Sequence, residues 1–324
     1  MSSHKLPSFA DLPVDKSGPM LNAWGLYGKT DKLGALNRLT QEVVKAAASE
    51  IQSGIRIGLD WPLDAQADQP FFGRLHFHKN IIHKSPRVVN DDEWTFNTQS
   101  STQWDGLRHF AYQKAARFYN GVTLDDIHGA NKTNVNGIGA WAAQGIVGRG
   151  VLLDYHAWRT ATRPDVTIDK HDAFQTGSIP LADLQATLEW QGTQLRFGDV
   201  LFIRSGYMHA FNQMSRDEIE VLRKKMPPGF FGVEQSEEVL RWVWENFSAV
   251  AGDQPSFECW PTQKEWSCHE VFLSGWGMPI GELFDLERVA EHCAKTKRYT
   301  FFLTSEPCNV PGGVASPPNA LAIF

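Results

Sequence analysis

The order of apolar and polar positions along the chain marks out a few strongly periodic segments. Thr40 can N-cap a helix in which Val43, Ala47 and Ile51 recur at i, i+4 and i+8, with Gly54 as the stop, so one apolar stripe should face inward. Ser236 precedes Glu237 and Glu238, negative charge at the positive end of a helix dipole, and Val239, Leu240, Val243 and Phe247 then share one face. A third helix is predicted near 285–295, closed by Lys295 and Lys297. Between and after these lie short apolar runs at 150–155 (GVLLDY), 200–204 (VLFIR), 249–252 (AVAG), 299–304 (YTFFLT) and 319–324 (NALAIF). Several are uninterrupted, the pattern of strands covered on both faces, so the fold class is α/β around a buried sheet. No repeat, charge block or Pro/Ser/Gly tract divides the chain, which predicts a single domain over residues 24–324. Residues 1–23, with Pro7, Pro13 and Pro19 and little periodicity, suit an arm lying on the body or on a neighbour.

The segment 94–110, WTFNTQSSTQWDGLRHF, alternates differently. Read as extended chain, period 2 sets Trp94, Phe96, Trp104 and Phe110 on one face and Asn97, Gln99, Ser101, Gln103, Asp105 and His109 on the other. A solvated face is normally Lys, Glu and Thr. This one gathers amides, one carboxylate and one imidazole, groups that bind substrates and move protons. Asp105 and His109 form the sharpest pair, because a carboxylate can fix an imidazole's tautomer or hold a cation.

Composition narrows the function. Across 324 residues, 42% apolar content supports a real core, which excludes a disordered chain. With 31 Lys and Arg against 37 Asp and Glu, a net charge of −6 disfavours nucleic acid as a partner. Cys259, Cys268, Cys293 and Cys308 form no CxxC pair and read as reduced thiols, consistent with a cytoplasmic protein. No segment reads as a spanning helix or a signal peptide, so no membrane partner is expected. The GxGxxG, P-loop, GxSxG and HExxH patterns are all missing, Leu273 standing where the last would need its second histidine. His76, His78 and His83 are interleaved with Arg74, Lys79, Lys84 and Arg87, which would oppose a cation, and are expected on a solvated basic face. Cys268, beside His269, is read as a buried, inert thiol.

Residues 99–109 resemble the signature of the cyclase family, metal-dependent hydrolases that include bacterial-type kynurenine formamidases and isatin hydrolases, whose motif is HxGTHxDxPxH. Aligned on the aspartate, Asp105 matches the family's metal-bridging Asp, His109 its final catalytic His and Thr102 its Thr. Gln99 and Gln103 stand where the family has two metal-ligand histidines, Ser101 where it has Gly and Leu107 where it has Pro. Further similar stretches follow in order: 119–121 (YNG), 148–154 (GRGVLLD), 198–206 (GDVLFIRSG), 251–258 (AGDQPSFE) and the ending SPPNALAIF. The resemblance thus runs from Trp24 to the carboxyl end. It implies a swivelling β/β/α fold with a central mixed sheet, a small-molecule substrate and a homo-oligomer. His269 and Glu282, in CHEVFLSGWGMPIGE, match the family's second-metal ligands, with one residue more between them than the common spacing, an excess a loop could absorb.

The expected function is a hydrolase or cyclase-like enzyme acting on the carbonyl of a small cyclic or aromatic amide, lactone or related compound. His109 would be general base and acid, and Asp105 its orienter. Gln99, Gln103, Trp24, Trp276, His269 and Glu282 are the expected substrate-binding residues. Two amides in place of two imidazoles argue against a metal cofactor. Should a divalent zinc or manganese ion be held, its ligands would be Asp105, His269 and Glu282. A metal-free lyase or dehydratase and a non-catalytic binding protein are the alternatives.

Overall fold

The computed structural model describes residues 6–66, 70–163 and 170–324. Its strands are β1 (Arg56–Gly58), β2 (His78–His83), β3 (Asn90–Thr95), β4 (Gln103–Asp105), β5 (Ile146–Leu153), β6 (Gly177–Ile179) and β7 (Asp199–Ile203). They continue with β8 (Phe231–Val233), β9 (Phe247–Gly252), β10 (Ile280–Glu282), β11 (Thr300–Ser305), β12 (Ala315–Ser316) and β13 (Ala320–Ile323). Nine of these form one mixed sheet in the order β1-β13-β11-β5-β7-β9-β10-β4-β12. The centre, β5-β7-β9-β10, is parallel and the flanks are antiparallel.

The apolar runs become these central strands because helices cover both faces. Val151, Leu153, Leu201, Ile203 and Val250 pack with Val239, Leu240 and Val243 of the helix Glu237–Asn246. The alternate residues Leu152, Val200, Phe202, Ala249 and Ala251 pack with Val289, Ala290 and Cys293 of the helix Glu287–Thr296. Ser236 caps the first of these helices, its hydroxyl accepting the amide of Val239 at 3.4 Å. Thr40 caps Gln41–Ala47 in the same way, accepting from Val43 at 3.3 Å. There the predicted stripe ends early. The chain tightens to a 3₁₀ turn at Ala48–Glu50, Ile51 is exposed, and Glu50 turns inward to Arg149, Arg196 and Thr300.

The described residues before Trp24 lie on the chain's own body. The Phe9 ring meets Trp276 edge-on, the Trp244 indole donates to the Pro7 carbonyl at 3.0 Å, and Tyr112 donates to Met20 at 2.7 Å. β2 and β3 form a separate hairpin whose residues are nearly all exposed, and His76, His78 and His83 lie on or beside it. Among the described residues no helix is long and apolar enough to cross a membrane.

A close backbone approach sets the far end of the segment that carries His269. Gly34 and Gly277 both have φ near +60°, and a Cβ on Gly34 would lie 2.1 Å from the Gly277 carbonyl oxygen. Gly34→Ala should therefore cost more than about 1 kcal/mol, read as a lower urea midpoint. An unchanged midpoint would show that these two loops do not touch.

Candidate active site

Three segments of distant sequence deliver the polar residues. β4 pairs antiparallel with β10, setting Asp105 opposite Ile280 and Gln103 opposite Glu282. Within β4 the side chains alternate as expected: Trp104 enters the core against Phe284, while Gln103 and Asp105 face the other way. His109 follows in a turn closed by its own amide on the Gly106 carbonyl at 2.9 Å. His269 stands at the start of a π-helix, Glu270–Trp276. No loop intervenes there: Glu270–Trp276, between His269 and Gly277, is helical throughout.

At the centre both oxygens of Asp105 are fully buried and have no hydrogen-bond partner. Two imidazoles face its Oδ2, His109 Nε2 and His269 Nε2, each at 3.9 Å. His269 is held between carboxylates, Nδ1 on Glu258 at 2.7 Å and Nε2 on Glu282 at 3.2 Å. Glu282 also accepts from the Phe257 amide at 3.1 Å and from Gln103 Nε2 at 2.9 Å, which leaves Gln103 Oε1 buried without a partner. Gln99 Nε2 meets His109 Nδ1 at 2.9 Å, and Arg74 holds both the backbone carbonyl and Oε1 of Gln99 at 2.7 Å.

Burial drives the Asp105 carboxyl above the usual aspartate range, with Glu282 adding to it against the pull of both imidazoles. Burial also lowers His109, opposed by Asp105. Burial alone would lower His269, yet Glu258 and Glu282 outweigh it and hold the ring well above the ordinary histidine value. Glu258 responds in kind: burial would raise it, and His269 pulls it below. Burial pushes the Cys268 thiol well up, which leaves it unreactive.

The donor set suits a divalent cation. Asp105, His109 and His269 offer ligand atoms within 4.8 Å of one another, and the unpartnered carboxylate of Asp105 is what such an ion would satisfy. His269 Nδ1 on Glu258 is the carboxylate-histidine contact that steadies metal-bound imidazoles.

Other expected residues lie elsewhere. Trp276 is fully buried, its indole donating to the Leu21 carbonyl and its ring packed against Phe272 and Trp244. Trp24 is bonded to the Ser274 carbonyl and rests on Tyr112. Ser101 turns away to the carbonyls of Trp61 and Pro62, and Trp94 is exposed on the hairpin. Phe110, expected on the opposite, apolar face, instead has its ring 5.5 Å from that of His269. A cavity of about 280 Å³ is separate from the cluster, lined by His156, Arg159, His209 and Phe231. The cluster is instead closed over, and of its two imidazoles His109 is the more open to solvent, its side chain 19% exposed. Arg74, which the sequence groups with a solvated basic face, instead turns inward onto Gln99, and the sequence does not single out Glu258. Glu258 lies inside a stretch noted for its resemblance, but nothing local ties it to His269.

A buried carboxylate faced by two imidazoles, presented by an α/β sheet, makes up the candidate site. The chain belongs to the putative cyclase family, whose profile matches residues 34–259. That match ends before His269 and Glu282. No curated protein matches the chain. Among solved structures it is similar to one described as a novel cyclase, at 30% identity over 94% of this chain and 99% of the other, with a TM-score of 0.80. Isatin hydrolase A from Ralstonia solanacearum shares the fold at 16% identity, covering 86% of this chain and 93% of that one, with a TM-score of 0.52. Isatin hydrolase A from Labrenzia aggregata, bound to benzyl benzoate, does so at 14% identity, covering 88% and 98%, with a TM-score of 0.55. The single α/β domain with its central mixed sheet is the fold of these cyclase-family structures.

Proposed function

We propose that the protein hydrolyses a carbonyl bond in a small cyclic or aromatic amide, lactone or related compound, with Asp105 and His109 handling the proton. The observation that carries this is the buried carboxylate of Asp105, unpartnered at both oxygens and faced by His109. Buried polar groups of a structural core are paired, so one left unpaired points to a working group. The pair takes a proton from the attacking water as its oxygen bonds the carbonyl carbon. It returns that proton to the nitrogen or oxygen that leaves, so one water is consumed per bond cleaved. Gln103 Oε1, free while Nε2 is held by Glu282, accepts from a substrate N–H. Gln99 has both ends of its amide engaged and acts through His109 rather than on substrate. A zinc or manganese ion held by Asp105, His269 and Glu282 would polarise the carbonyl and acidify its water.

The test is product mass after incubating the full-length protein with a panel of small cyclic amides and lactones. Gain of one water is the expected result. Loss of water would make it a dehydratase, and saturable binding without a new product would make it a binding protein; either overturns the reading.

A further inference from the structure

We infer that Arg74 is a positioning residue which, through Gln99, fixes the proton of His109 on Nε2 and so presents that ring to the site as a hydrogen-bond donor. The inference rests on the reading of His109 as a working group of the site.

The chain of reasoning uses only which atoms can donate. A guanidinium carries N–H groups and no acceptor. Arg74 Nη2 lies 2.7 Å from the Gln99 side chain, so the amide atom facing it must be the carbonyl oxygen, Oε1. Arg74 Nη1 reaches the Gln99 backbone carbonyl at 2.7 Å, and the Gln99 backbone N–H donates to Asn97 Oδ1 at 2.9 Å, so the residue is anchored at three points besides the ring. Turning the amide over would set its NH₂ against the guanidinium, donor against donor. The orientation is thereby assigned by the network.

With Oε1 committed to Arg74, the NH₂ end is left facing His109 Nδ1 at 2.9 Å. That group can only donate, so Nδ1 must accept and carries the lone pair. A neutral imidazole has one N–H, and here it falls on Nε2. Nε2 is the atom aimed across 3.9 Å toward the unpartnered Asp105 Oδ2. Two consequences follow for chemistry at the cluster. The ring offers an N–H to a substrate oxygen entering that gap, with Asp105 left as the acceptor. In that tautomer Nε2 offers a cation no lone pair, so of the three groups whose ligand atoms converge, Asp105 and His269 remain as ligands and His109 does not.

The experiment reads the tautomer directly and needs no substrate. Full-length protein labelled with ¹⁵N-histidine is examined by long-range ¹H–¹⁵N correlation, the His109 signals being assigned by their loss in His109→Asn. Wild type should show Nδ1 unprotonated and Nε2–H. Gln99→Glu supplies an acceptor at the same place and should move the proton to Nδ1. Arg74→Met should release the amide and average the two forms, and Arg74→Lys, which restores a donor to Oε1, should return the wild-type pattern. Where turnover is measurable, Arg74→Met should lower kcat by about 10–100-fold, with recovery in Arg74→Lys. A wild-type ring protonated on Nδ1, or a pattern unmoved by both Gln99→Glu and Arg74→Met, overturns the inference. Failure to find turnover strikes the proposed reaction and leaves the tautomer result standing.

Discussion

Asp105→Asn is expected to lower turnover by about 10²–10⁴-fold, the range for losing a positioned acid-base group. The same change should stabilise the metal-stripped protein. Burial, with Glu282 nearby, raises the folded-state pKa of Asp105 above its unfolded value. The folded chain therefore binds this proton more tightly than the unfolded chain does, and giving it up as pH rises costs stability. The amide never ionises. Its advantage should be small in acid, growing to roughly 1–3 kcal/mol at mildly alkaline pH, as expected for an unpaired buried polar group. Urea unfolding of both proteins at acidic and alkaline pH checks the sign. Added zinc or manganese should then reverse the ranking, raising the Tm of wild type and leaving the variant unmoved. A variant with full turnover would remove Asp105 from the chemistry. A variant less stable than stripped wild type at every pH would mean that the carboxylate has a partner after all.

The sheet centre was legible because burial on both faces writes itself as unbroken apolar runs, and 150–155, 200–204 and 249–252 became β5, β7 and β9. The helix after Ser236 was equally plain, since its cap and its stripe agree. The candidate site was legible only in part. Residues 94–110 do not run as one strand, because the Asn97 side chain accepts the Gln99 amide and its carbonyl accepts Ser100, a turn that breaks the alternation. Gln103 and Asp105 kept their shared face, being on β4 beyond that turn. His109 reached the same place by a turn rather than by strand parity. Glu258 and Arg74 carry no local signal of their contacts. One meets its imidazole across 11 residues of chain and the other meets its amide across 25, distances that only the tertiary fold closes. Trp276, expected to bind substrate, is a fully buried aromatic of the core, a difference that sequence pattern does not reveal.

The stability of the frame that aims these residues should depend most on one buried guanidinium. Arg204, just past β7, lies 2.9 Å from Asp154 and holds Glu287 with two bonds at 2.7 and 2.8 Å. Its backbone amide donates to the Leu153 carbonyl, and the next residue, Ser205, gives its amide and hydroxyl to Asp253 at the end of β9. Arg204→Met keeps the bulk but removes these bonds, leaving Asp154 with only the Ala157 amide and Glu287 with only the His209 ring at 3.6 Å, and a broken buried pair costs up to about 3–5 kcal/mol. Burial would raise Glu287, but the hydrogen bonds and charge of Arg204 outweigh it and hold the carboxyl below the usual glutamate value. A depressed folded-state pKa contributes stability above the unfolded value and loses it as pH falls. The deficit of the variant should accordingly be largest near neutrality and narrow on acidification, as measured by urea midpoints across that range. Adding Glu287→Leu removes one stranded charge and should recover part of the loss. Because Arg204 does not touch Asp105, His109 or His269, turnover well below the Tm should stay near wild type, so a variant that unfolds early and still turns over separates the frame from the chemistry it carries. A deficit that does not change with pH would mean that Glu287 is held by something other than this guanidinium.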